Sequence, residues 1–136
     1  MIKISIKNKS RVGEVYRGNT KYIDPEPKLQ RNYVVVKDVN GKVAVSKLKS
    51  IKIFDENGRN KDPYLVEIDQ HRYGLKKRTG VDKAVFRKNR MSKKSLTLID
   101  KKVFPEEKPR FTLSNRERNR VLLHTGVMKR NKKRRS

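Results

Sequence analysis

Two histidines and no cysteine leave this chain few of the usual routes to chemistry, while 38 Lys and Arg set against 14 Asp and Glu supply one kind of group in excess. Without Cys there is no thiol nucleophile, no disulfide and no thiolate metal site. His71 and His124 lie far apart in the chain, so neither a His-based zinc site nor a Ser-His-Asp arrangement is expected. Glu67 and Asp69 are two apart on an alternating segment and share one face. They could offer two ligands to Mg²⁺, but salt bridges to neighbouring cations are the simpler expectation. No phosphate-cradling glycine loop of either common form is present, and no cofactor is expected. The abundant residue type is suited to a different task. Cleavage of RNA by its own 2′-hydroxyl needs orientation, proton movement and stabilisation of a pentavalent phosphorane. An Arg donating two parallel hydrogen bonds suits the last of these. Composition does not say which Arg.

The formal net charge of +24 points to a polyanionic partner: RNA, DNA or an anionic membrane surface. The charge is unevenly placed. From Arg72 to Lys94, ten Lys and Arg face a single acidic residue, Asp82. In this block Tyr73 and Phe86 interleave with Arg72, Lys76, Lys77, Arg78, Arg87, Lys88 and Arg90. An aromatic among cations can stack an unpaired base while the cations hold phosphates, although Tyr73 itself is expected in the core. The ending, with Lys129, Arg130, Lys132 and Lys133, reads as a disordered basic arm that contacts nucleic acid without reading bases. No apolar run approaches the length of a membrane span, and the opening Met1–Ile6 segment alternates instead of forming a signal peptide's apolar block. A soluble, cytoplasmic protein without membrane contact is expected.

The elements that must position these groups are short strands. Val12–Tyr16 reads as a strand and 18–28 as a loop. Tyr33–Val36 is a β-branched run suited to a strand buried on both faces. Asn40-Gly41 signals a tight hairpin, and Val43–Leu48 returns as the partner, with Ile51–Phe54 continuing it or starting another. Residues 55–63 form a polar loop. Tyr64–Ile68, Arg72–Leu75, Val81–Phe86 and Ser95–Ile99 are further strands. Many short strands at this spacing predict a mainly β fold, a small barrel. Ser114-Asn115-Arg116-Glu117 has the form of a capping box, opening a helix to about His124 that Gly126 stops. The chain thus divides into a barrel domain over 1–104, a linker over 105–113, the helix over 114–126 and the basic tail over 127–136.

Three segments resemble the MazF/PemK family of toxin ribonucleases. Gly13-Glu14-Val15-Tyr16 is similar to the family's opening strand. Arg31-Asn32-Tyr33-Val34-Val35-Val36-Lys37-Asp38 resembles its Arg-Pro, apolar run, polar-Asp strand, with Asn32 where the family has Pro. Val66-Glu67-Ile68-Asp69 followed by Arg72-Tyr73-Gly74-Leu75 resembles its Val-Glu-Ile segment and the turn after it. The resemblance spans about residues 11–100. It implies a small, strongly curved β-barrel, usually a homodimer, that cuts single-stranded RNA without a metal. It also implies an acidic antitoxin-like partner that blocks the RNA channel. In the family an Arg heads the second strand and a Thr or Ser follows the third. Arg31 falls on the first position. Lys49 falls on the second, with Ser50 beside it and Ser46 nearby.

The functional expectation is a MazF/PemK-like nucleic-acid-binding protein directed to RNA. As an endoribonuclease it would use Arg31 on the phosphorane, Ser50 or Ser46 as a proton relay, and Lys47 and Lys49 on phosphates, leaving a 2′,3′-cyclic phosphate. The alternative is a non-catalytic DNA- or RNA-binding accessory or regulatory protein of a mobile element, or an inhibitor or adaptor working through its basic face.

Overall fold

A computed structural model describes residues 10–19, 30–39, 42–85, 97–98, 104, 106 and 108–129. Seven strands and one helix lie among these: β1 (Glu14–Asn19), β2 (Gln30–Val39), β3 (Lys42–Ser50), β4 (Leu65–Ile68), β5 (Thr79–Asp82), β6 (Thr97–Leu98), β7 (Phe111–Thr112) and α1 (Asn115–Thr125). All pairings are antiparallel. The sheet runs β4-β5-β3-β2-β1-β7, with β6 also on β3. It curls into a mainly β half-barrel with the helix at its C-terminal end.

The β-branched run builds the centre. Val34 and Val36 face one side of the sheet with Val15, Ala44, Leu48, Ile68 and Val81; Leu113 and Val121 cover that side from the helix end. Tyr33 and Val35 face the other side with Tyr16, Val43, Val45 and Phe104. Each fully buried side chain of this size contributes roughly 1.5–3 kcal/mol, so β2 is secured from both faces. Between Val35 and Lys37 the β2–β3 register shifts. That extra residue is a bulge, which bends the strand and increases its twist. Gly13 holds the chain against this bulge, its N–H donating to the Val35 carbonyl at 2.9 Å. Its φ of 96° favours glycine, and a Cβ there would also press on the Arg118 side chain at 3.2 Å.

Several expected boundaries move. The first strand starts at Glu14 and takes Gly18 and Asn19 from the expected loop, because Val15 through Asn19 pair with β2. Ile51–Phe54 yields only a bridge between Phe54 and Asn60. The Arg72–Leu75 segment is a turn, with Gly74 at φ 66°; Asp69 Oδ1 accepts from the N–H groups of His71 and Arg72 and rolls the chain over. The next strand lies at Thr79–Asp82, ahead of the expected 81–86. Val39 pairs with Lys42, which leaves Asn40-Gly41 as the connection. Those two residues, the Ile-rich opening, the rest of the 18–28 loop, Phe86 and the tail beyond Lys129 lie outside the described residues.

The helix follows its local signals, with one change. Ser114 caps it, accepting from the Glu117 N–H at 3.3 Å, and Gly126 ends it at φ 81°. In a capping box the Glu would reach back to the Ser N–H. Here the Tyr73 hydroxyl stands between them. It accepts from the Ser114 N–H at 2.9 Å and donates to the Glu117 carboxylate. Glu117 also accepts from the Asp69 N–H at 2.7 Å. The turn after β4 is thereby locked to the helix start.

Candidate nucleic-acid interface

β3 changes partners along its length, and the candidate site lies at the change. From Val39↔Lys42 to Tyr33↔Lys47 it pairs with β2; from Leu48 to Ser50 it pairs through its other edge with β5. Continuing the β2–β3 register two places sets Arg31 opposite Lys49, where the two strands part. β2 meanwhile stays paired with β1, with Arg31 opposite Gly18 and Tyr33 opposite Tyr16. We call this opening the fork.

Strand alternation decides which groups share it. Val43 and Val45 lie on the Tyr33 side, so Lys47 and Lys49 follow them, and Arg31 follows Tyr33. By this parity three cations from two strands belong to one face, with Gly18, which contributes no side chain, opposite Arg31. Lys47 is only 6% exposed. Lys49 is more open, its ammonium 4.0 Å from the Asp82 carboxylate. Cationic side chains along one face attract an anion placed beside them. A phosphodiester has the required charge and acceptor oxygens.

The hydroxyls take the other parity. Ala44 and Leu48 mark the opposite face, and Ser46 and Ser50 alternate with them. Ser46 is fully buried and its Oγ donates to the Ala84 carbonyl at 2.8 Å. The sequence carried this separation in its period of two, since 47 and 49 share one parity and 46 and 50 the other.

The basic block divides in the same fashion. Arg72, Lys76 and Lys77 are exposed on the loop after β4. Arg78 is occupied by the protein. It makes a two-pronged pair with Glu67 at 2.7 and 2.8 Å, donates to the Gly58 carbonyl at 2.6 Å and stacks on Phe54. Glu67 holds the guanidinium's pKa above its usual value. Tyr73 is committed to the helix cap and stacks on Phe111. Burial, with help from Glu117, raises its pKa. Lys129 is exposed beyond the helix. Phe86, Arg87, Lys88, Arg90, Arg130, Lys132 and Lys133 lie outside the described residues.

Two groups of residues emerge that composition did not single out. Beside the fork row, the buried Tyr16 hydroxyl accepts from Arg11 at 2.9 Å and donates to Glu14 at 2.5 Å. Burial, reinforced by Glu14, pushes its pKa up to about 12. On the other face a groove of about 860 Å³ runs along the end of α1, with Arg120, His124 and Lys129 among its walls. Among the described residues no cluster of three or more His, Asp or Glu could hold a metal ion, and no helix is long and apolar enough to cross a membrane. No protein-family model matches the chain, and no curated protein matches it either.

Proposed function

We propose that this protein binds single-stranded RNA, with Arg31, Lys47 and Lys49 holding a phosphate at the fork. The register and parity that assign these cations to one sheet face, with Gly18 opposite Arg31, carry the proposal. The exposed Arg72, Lys76 and Lys77 add cations on the loop after β4, and the net charge supplies long-range attraction. The MazF/PemK resemblance supports the same ligand. In a ribonuclease of that kind, the 2′-hydroxyl would attack phosphorus, lose its proton and expel the 5′-oxygen, which gains one. Arg31 would stabilise the phosphorane, and the products would be a 2′,3′-cyclic phosphate and a 5′-hydroxyl.

A second reading, binding without turnover, is favoured by one observation. The hydroxyl expected to relay a proton is absent from the cationic face: Ser46 is spent on the Ala84 carbonyl, and Ser50 has the opposite parity. One experiment separates the readings. Labelled single-stranded RNA is incubated with the protein in EDTA at about 0.15 M salt, and both retention and end groups are measured. Retention without cyclic phosphate selects the binding module. Cyclic-phosphate ends that vanish in Arg31→Ala select the ribonuclease. RNA that is neither retained nor cut overturns the proposal. Arg31→Ala should weaken binding about tenfold, in the range of one lost specific contact.

A further inference from the structure

The groove at the end of α1 has a different chemistry from the fork. The buried side of the helix is marked by Val121, while Arg116, Asn119, Arg120 and Leu123 form its exposed stripe. Near its end Leu123 is 37% exposed and Met128 36%. With Val66 they give the groove an aliphatic floor, rimmed by Arg120, His124 and Lys129. His124 is held in place by its Nε2 contact to the Tyr64 carbonyl at 2.9 Å. An adjoining hollow, which shares Gly126, adds Lys37 and Lys83. No acidic residue lines either cavity among the described residues.

The floor distinguishes the occupant. A single nucleic-acid strand gains affinity by stacking bases on aromatic rings; neither cavity has a Phe, Tyr or Trp among its described lining residues, and the one imidazole, His124, is tied to the Tyr64 carbonyl. Aliphatic side chains inside a cationic rim instead match an amphipathic segment with apolar anchors and carboxylates around them. We infer that this groove docks an acidic peptide with aliphatic anchors from a protein partner. We also infer that such a partner leaves the fork open, because α1 covers the Val34 side of the sheet and Arg31 lies on the Tyr33 side. The docking claim is independent of the RNA proposal; the simultaneous binding rests on it. At about 0.15 M salt, charges separated by more than roughly 8 Å are largely screened, so two anionic ligands on opposite faces tolerate each other.

The test uses the full chain and a fluorescent peptide of Glu and Leu with Leu at helical spacing, compared with a Glu and Ser peptide of equal charge and length. The Glu/Leu peptide should bind about tenfold more tightly, the effect of roughly 1.4 kcal/mol. Leu123→Ser and Lys129→Gln should each weaken it about threefold to tenfold. Lys129 lies beyond the helix, so its variant remains informative if Leu123→Ser disturbs folding. Equal affinity for the two peptides, or full affinity in Lys129→Gln with Leu123→Ser folded and equally unaffected, overturns the inference. A saturating short uridine oligonucleotide should leave the peptide's polarisation high; displacement overturns the claim of separate faces. If Leu123→Ser weakens RNA binding and spares the peptide, the groove is a nucleic-acid surface and the inference fails. If the oligonucleotide does not bind at all, the RNA proposal fails while the peptide comparison still stands or falls by itself.

Discussion

Tyr16 shows how a single buried phenol reports on the face that carries the fork. It stands one strand from Tyr33 and two from Lys47 in the same cross-strand row, and its folded pKa of about 12 exceeds the ordinary 10.0. The folded state therefore prefers the protonated phenol. Its contribution to stability is full below about pH 10 and is lost as pH rises through about 12. Ionisation followed by tyrosinate absorbance should show a component titrating near pH 12 in the native protein, distinct from Tyr73, which is also raised, and all phenols titrating together in urea. The late component should disappear in Tyr16→Phe. Simultaneous titration of all five tyrosines near pH 10 would contradict the buried network. Tyr73 makes a complementary case. Tyr73→Phe removes the acceptor of the Ser114 N–H and a donor to Glu117, and unpaired groups of this kind cost about 1–3 kcal/mol. The loss should appear as a lower denaturation midpoint with little change in slope.

Local elements were legible where the determinants lie close together in sequence. Ser114 and Gly126 fix the helix ends through contacts within a few residues, and both worked as written. The central strand was legible because a β-branched run has few alternatives. The role of Tyr73 was not, since it depends on a turn bringing it to a residue 41 positions later. Arg72–Leu75 read as a strand because its apolar residues alternate, whereas Asp69 and Gly74 make it turn. Half of the site was readable by parity alone: once β3 is a strand, Lys47 and Lys49 must share a face that excludes Ser46 and Ser50. The fork was not readable, because it depends on β5, some 30 residues after β3, competing for one end of that strand. A check at this scale is Ser46→Ala. It removes the hydrogen bond from β3 to the Ala84 carbonyl, so it should cost about 1 kcal/mol and leave metal-free RNA retention unchanged. A large loss of retention would place a hydroxyl in the site after all.

At the scale of the molecule, the described cations fall on both faces of the sheet. Binding through the fork should be steeply salt-dependent. Replacing Lys47 or Lys49 by Met should lower the slope of log affinity against log salt by roughly 0.7, the value for one single-strand phosphate contact. An unchanged slope would place those ammonium groups away from the phosphates. β3 has a further consequence for how the protein opens. It is the one strand paired with both β2 and β5, so it is a seam between two cooperative units. Amides around Ala44 to Lys47 should exchange with solvent only on global unfolding. Those of β4 and β5 can open together from the seam's far end, at lower free energy, while β1 to β3 stay closed. The Tyr73 latch to Ser114 would then act as a brake on that opening, and its removal should speed exchange in β4 and β5 before it is felt in β2.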